Sequence, residues 1–253
     1  MELNHSLVFA ILINGIIAAI AYYTKTVQKS GIIGGLIVGI LTYYFLGYQG
    51  YVILFSMFIM GTLATKVGFQ SKQALGVAES DEGARGLSNV IAKCLPSVVF
   101  ALVAWIADIS GAEYNGFFFK AMLLGFVASF ATGAFDTVSS EIGQVYGKRP
   151  FTLIPPKRVK PGTEGAVSLV GTLAGLIAAI IVILLGYWLL LSKCPMPFRK
   201  AFKYPLIAVI IANIIESVLG SQLEQKKLLG KFGTNLTNTV LAGTIAILLL
   251  KVL

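Results

Sequence analysis

Eight stretches of the chain each approach the roughly 20 mostly apolar residues that a helix needs to cross the hydrocarbon core of a bilayer. They run over 5–23, 31–48, 50–65, 88–107, 117–136, 166–191, 202–220 and 235–253. A segment in lipid must satisfy its own backbone N–H and C=O groups, and continuous runs of this length do so as helices. The reading is an all-α polytopic membrane protein, one integral membrane domain over 1–253 with seven to eight transmembrane helices. The third stretch is short and the seventh carries Asn213 and Glu216, so seven helices with one re-entrant segment also fit. Composition agrees: 12% of residues are charged, against about a quarter in a soluble domain. The first stretch lacks the basic flank of a signal peptide and is read as a spanning helix.

The net charge of +9 is divided among short loops and forms no continuous basic face, which argues against a nucleic-acid partner. With the N-terminus outside, the loops after stretches one, three, five and seven carry thirteen of the twenty Lys and Arg residues, and those after two and four carry none. By the positive-inside rule these four loops are cytoplasmic. The segment 192–203 runs against the pattern, since eight passes put Lys193, Arg199, Lys200 and Lys203 outside. Cys94 and Cys194 lack ligand-like spacing and His5 is the single histidine, which argues against disulfide frameworks, zinc sites and His-based triads.

The longest polar interval, 136–165, lies between two very apolar stretches and is the expected functional centre. It joins few carboxylates, Asp136, Glu141 and Glu164, to many cations, Lys148, Arg149, Lys157, Arg158 and Lys160. That balance suits Mg²⁺ held with phosphate oxygens, because the metal takes one or two carboxylates while Lys and Arg neutralise the remaining charge. On a helix over 131–147, Asp136, Ser140, Gly143 and Gly147 share a face, with Ser139 beside it and Glu141 off it. The same pattern also suits a helix merely emerging into water. Lys160-Pro161-Gly162-Thr163-Glu164-Gly165 directly precedes an apolar stretch, where a helix N-terminus favours an anion; Thr163 as a simple N-cap fits equally well.

Arg85, Asn89 and Lys93 are spaced by four at the start of the fourth stretch, either a phosphate-facing stripe or an interfacial one. Glu216 needs a partner, metal, water or proton in the seventh stretch, and Asn213, Asn235 and Asn238 are the polar candidates around it. An internal repeat matches 62–68 to 137–143, with re-entry through Glu82-Gly83-Ala84 and Glu164-Gly165-Ala166 and a fainter copy after Glu216. Small residues recurring at helix ends would give the same match. Repeated helix-loop-helix units would bring Arg85, Asp136, Glu164 and Glu216 to one membrane face.

The runs 136–143 and 159–168 with Gly171-Thr172, together with 61–66, Arg85-Gly86, 89–92 and 235–238, resemble the signature of a broad, long-uncharacterised family of integral membrane proteins. That family includes the plant and cyanobacterial phytyl-phosphate kinase, and the likeness spans roughly 60–240. There is also a distant similarity to dolichol and phytol kinases, whose Lys-x-x-x-Glu-Gly arrangement is matched by Lys160 and Glu164-Gly165. Glu216-Ser217 stands where the family often has Asp-Ser, and Lys93 where it has Asn.

The resemblance implies phosphoryl transfer from a nucleoside triphosphate, CTP above all, to an isoprenyl monophosphate such as phytyl phosphate, with Mg²⁺ as cofactor and tocopherol- or quinone-type lipids as destination. Such a reaction asks for positioning and charge stabilisation, not for a His or Cys nucleophile. Asp136, Glu141 and Glu216 are then the metal candidates, and Asp136, Glu141, Lys160 and Glu164 the catalytic set. Arg85, Asn89, Ser139, Ser140, Gly143, Lys148, Gly162, Thr163 and Gly165 would hold nucleotide and phosphate. A cytidylyltransferase acting on a lipid phosphate and a secondary transporter of organic anions are the alternatives.

Overall fold

The computed structural model describes residues 2–24, 26–78, 86–110, 116–224 and 228–252. Among the described residues eight α-helices carry the fold: α1 Glu2–Tyr23, α2 Lys29–Lys66, α3 Phe69–Ala74, α4 Leu87–Ile109, α5 Phe117–Tyr146, α6 Leu169–Leu189, α7 Phe198–Leu219 and α8 Lys231–Val252. Among the described residues six helices are long and apolar enough to cross a membrane, and Leu7–Tyr23 forms a shorter apolar helix.

The 38 residues of α2 are not one rod. Gly47 leaves helical geometry at φ 63°, ψ −162°, a conformation open to glycine and costly for other residues. Beyond it the chain doubles back: the Tyr43 and Tyr51 rings lie 5.9 Å apart, and a Cβ on Gly39 would meet the Tyr51 ring at 3.2 Å. In a straight helix residues 39 and 51 would stand about 18 Å apart. The two arms, 29–46 and 48–66, are therefore antiparallel passes of about 27 Å each, close to the hydrocarbon thickness. The eight apolar stretches of the sequence correspond to α1, the two arms of α2, α4, α5, α6, α7 and α8.

Helix α5 is the axis of the bundle. Its burial runs nearly unbroken from Ala121 to Val138, as expected of a helix that is apolar on every face. Small residues let neighbours approach closely, since lipid tails give no hydrophobic drive for helix association. Gly186 of α6 sits on Val127, Gly243 of α8 on Phe100 and Ser129, and Gly175 of α6 on the Phe135 carbonyl. Polar locks add to this packing. Asn213 Nδ2 donates to Thr132 Oγ1 at 2.7 Å, and Asn238 Nδ2 donates to Asn213 Oδ1 at 3.3 Å, tying α5, α7 and α8 together.

The connections after α1, α3, α5 and α7 gather at one end of the bundle. Gly86 lies against Gln28, Gly68 against Val145, Gly162 against Val77 and Gly165 against Gly220. The segment around 192–203 lies at the other end, where Lys193 Nζ is beside the Gln49 amide at the α2 corner. Its Arg199, Lys200 and Lys203 belong to the opening turns of α7. The eight-pass arrangement thus keeps that basic segment away from the other four loops, although it breaks the charge pattern.

Candidate functional site

The polar interval does not begin where the charges begin. Helix α5 continues to Tyr146, so Asp136, Ser139, Ser140 and Glu141 stand on its last three turns and the loop proper starts at Gly147. The loop folds back as a small antiparallel hairpin, Phe151–Thr152 against Lys157–Arg158, and Phe151 also bridges Val167. Its tip docks on the π-helical turn Gly220–Glu224 that follows α7, where the Ile154 carbonyl accepts from Ser221 Oγ and from Gln222 Nε2. Helix α6 starts only at Leu169, capped by Ser168, whose hydroxyl accepts from the Gly171 amide at 3.2 Å. The helix thus starts past the 160–165 run, which corrects both alternatives: that run is not at the helix N-terminus as an anion site, and Thr163 is not its N-cap. Thr163 Oγ1 donates to the Lys160 carbonyl, and Gly162 and Gly165 adopt φ 82° and 71° in turns ahead of the helix.

Beneath this loop lies a cavity of about 370 Å³, within the usual size of small-molecule sites. The expected residues that line it are Asn89, Asp136, Ser139, Ser140, Glu141, Gly143, Gly162, Thr163, Glu164, Gly165, Asn213, Glu216 and Asn235. Asp136, Glu164 and Glu216 thus come to one chamber from α5, the loop and α7. Lys148 and Lys160 are exposed and do not line it. Asn238 is taken by the interhelical lock and also stands outside the lining. Arg85, with Glu82-Gly83-Ala84, falls outside the described residues.

The floor of the chamber is a buried ion pair. Lys93 Nζ of α4 donates to Asp136 Oδ2 and to Thr137 Oγ1, both at 2.6 Å, and Ser140 Oγ approaches Asp136 Oδ1 at 3.5 Å. Lys93 and Asp136 are only 5% and 8% exposed, so removing either would leave a buried polar partner uncompensated. Among the described residues Lys93 and Lys231 are the cations that line the cavity, and Lys148 and Lys160 do not. The signal for Lys93 was present in the sequence, since a lysine deep in an apolar helix is costly unless paired. Its spacing of four from Asn89 also set both on one face.

Glu141 sits one helical step off that stripe, as its spacing from Asp136 requires. Its Oε2 accepts from Lys72 Nζ at 2.6 Å and its Oε1 from Thr65 Oγ1 at 2.9 Å. Lys72, 1% exposed, also donates to the Ala64 and Thr65 carbonyls at 3.1 and 2.7 Å. Glu141 thereby clasps the end of α2 and the short α3 against α5. Lys72 gave no warning in the sequence, because only the turn at Gly68 carries it back toward α5. Among the described residues no three acidic, Cys or His side chains form a group able to hold a metal by themselves.

Glycines make the loop fit. Gly165 has φ 71°, and a Cβ there would overlap the Ser217 carbonyl and the Ser221 amide of the adjoining helix end. Gly165→Ala is expected to lower the melting temperature of the detergent-purified protein by about 5 °C or more, because the strain and the backbone clash together exceed 1–3 kcal/mol. A melting curve unchanged from wild type would show that the loop does not dock there.

Over residues 12–245 the chain matches the family model described as integral membrane protein DUF92. It is 38% identical over 225 residues to the Arabidopsis thaliana chloroplast protein VTE6, across 88% of this chain and 65% of that one. The chain therefore spans just under two thirds of that relative's length. It is 32% identical over 249 residues to an uncharacterized membrane protein of Methanocaldococcus jannaschii, across 98% and 96% of the two chains. An uncharacterized membrane protein of Synechocystis is 34% identical over 241 residues, across 94% and 89%. No solved structure matches. The family match runs from α1 into α8 and takes in the whole of the cavity, and the chain belongs to the integral membrane protein family DUF92.

Proposed function

We propose that the chain is a kinase that transfers the γ-phosphoryl group of a nucleoside triphosphate, CTP in the first instance, to an isoprenyl monophosphate such as phytyl phosphate. The observation that carries this reading is the chamber itself: carboxylates from α5, α7 and the loop, two lysines, hydroxyls and a glycine-rich turn face one space at the basic end of a membrane bundle. The likeness to a chloroplast protein at 38% identity and the resemblance to the phytyl-phosphate kinase family support it.

In this reading an oxygen of the acceptor monophosphate attacks the γ-phosphorus of the nucleotide. One P–O bond forms, the bond from that phosphorus to the β,γ-bridging oxygen breaks, and the nucleoside diphosphate leaves. A phosphate monoester is already anionic near neutral pH, so no side chain has to remove a proton before attack. Lys93 and Lys231 would neutralise phosphate charge, the Gly162–Gly165 turn would let phosphate approach the backbone, and Asn89, Asn213 and Asn235 would orient what is bound. Asp136, Glu164 and Glu216 do not form a metal-holding group by themselves, so one or two of them would hold Mg²⁺ only together with substrate phosphates, the usual mode for this ion. The ion would neutralise charge developing on the transferred group. Glu141 could serve it only by releasing Lys72 or Thr65, so the proposal gives Glu141 the clasp. Lys148 and Lys160 are left to attract anions toward the mouth.

The test is a product assay on purified protein with Mg²⁺, each of CTP, ATP, GTP and UTP, and phytyl or geranylgeranyl monophosphate. Mass spectrometry is expected to find a prenyl diphosphate and one nucleoside diphosphate per turnover. A CDP-lipid with pyrophosphate would make the protein a cytidylyltransferase. Nucleotide-independent flux of organic anions in proteoliposomes, with no product in the assay, would make it a transporter.

A further inference from the structure

The same chamber that is polar under the loop becomes apolar toward the bilayer. Phe135 of α5, Leu176 of α6 and Ile210 and Ile214 of α7 line its lower part. Ile210 and Ile214 remain 41% and 51% exposed although they line the chamber, so the chamber is not sealed by packing on its α7 side. Helix α6 turns its small face, Gly171, Gly175, Ala178 and Ala179, toward α5. Its bulkier Leu173 and Ile177 are exposed. Chamber-lining residues Leu176, Ile210 and Ile214 thus stand next to exposed apolar positions at the seam of α6 and α7.

We propose that this seam is the entry and tail-binding portal for the lipid acceptor, with its phosphate under the Gly162–Gly165 loop and its hydrocarbon tail leaving between α6 and α7 past Ile210 and Ile214. The proposal rests on the kinase reading for the identity of the acceptor, but the portal is argued from the shape of the cavity alone. Placing the tail here lets an amphipathic molecule keep its head in the polar half and its chain in lipid at every stage, so no apolar surface has to cross water. A second apolar cavity, about 110 Å³ between α1, α2 and α4, also has Asn89 and Lys93 in its wall. It is the competing route. The Lys93 ammonium, however, is committed to Asp136 and Thr137 on the chamber side, so its side chain stands across the way from one cavity to the other.

Two measurements separate the routes. A geranylgeranyl monophosphate carrying a photoreactive diazirine at mid-tail, irradiated with the full-length protein in nanodiscs, is expected to label α6 near Leu173–Ile177 and α7 near Ile210–Ile214. In turnover, Ile210→Trp and Ile214→Trp are expected to lower the preference for the 20-carbon over the 5-carbon prenyl monophosphate, read as the ratio of kcat/KM values, by about tenfold or more. Gly35→Phe fills the second cavity at a position where an added Cβ meets nothing within 4 Å, and it should leave that ratio unchanged. Labelling on α1 and the first arm of α2, or a ratio that falls with Gly35→Phe and not with the tryptophans, would overturn the portal. Labelling at the seam without any diphosphate product would keep the portal and remove the kinase.

Discussion

Asp136→Asn is expected to reduce turnover by about 10²–10³-fold, the scale on which loss of one preorganised electrostatic group slows an enzyme. The substitution keeps the shape of the side chain and removes its charge, leaving the Lys93 ammonium buried against a neutral amide. Two effects follow: the chamber loses a carboxylate that the proposed mechanism uses to share a cation with phosphate, and the helix pair α4 and α5 loses a buried ion pair. A second variant separates them. In Asp136→Asn combined with Lys93→Met neither charge remains, so the unpaired-charge penalty disappears and the melting temperature is expected to recover above that of the single variant. Turnover is not expected to return. Full activity in Asp136→Asn would take Asp136 out of the mechanism, whatever its effect on stability.

Lys72→Met is expected to be the most destabilising single change away from the chamber floor. It strands the Glu141 carboxylate with Thr65 alone and leaves two backbone carbonyls without their ammonium donor. Breaking a buried pair from one side costs about 3–5 kcal/mol, which corresponds to a fall of roughly 10 °C or more in melting temperature for a chain of this size. Lys72→Met with Glu141→Leu removes both charges and is expected to regain most of that loss, read as a melting curve close to wild type. The same double variant decides what Glu141 does. Retained kinase turnover assigns it to the clasp between α2, α3 and α5; turnover lost in a well-folded double variant would return it to the site as a metal ligand.

These two lysines mark how far the sequence could be read. An all-α bundle of seven to eight apolar segments and a crowded polar segment after the fifth of them followed from the lengths of apolar runs and the placing of charge, because a bilayer constrains backbone and cations so strongly. The convergence of Asp136, Glu164 and Glu216 was also foreseeable, as helix ends at alternate loops must return to one face. What could not be read was the pairing. Lys148 and Lys160 were the obvious phosphate cations by position in the chain, yet the hairpin at 151–158 holds the loop so that both face outward, and Lys93 reaches the cavity from another helix. The helix start at Leu169 instead of 166 likewise depends on the Phe151 to Val167 bridge, a contact between residues sixteen positions apart.

The sequence by itself determined that this is a membrane-spanning helical protein with four of its basic loops on one side, since hydrophobic length and charge asymmetry act locally and need no partner to be expressed. Tertiary structure alone decided which carboxylate meets which ammonium. Lys93 with Asp136 and Lys72 with Glu141 lie 43 and 69 residues apart, and only the close packing of α2, α3 and α4 on α5 brings them within 2.6 Å. A buried charge finds its lowest free energy with whichever counter-charge the packing sets beside it.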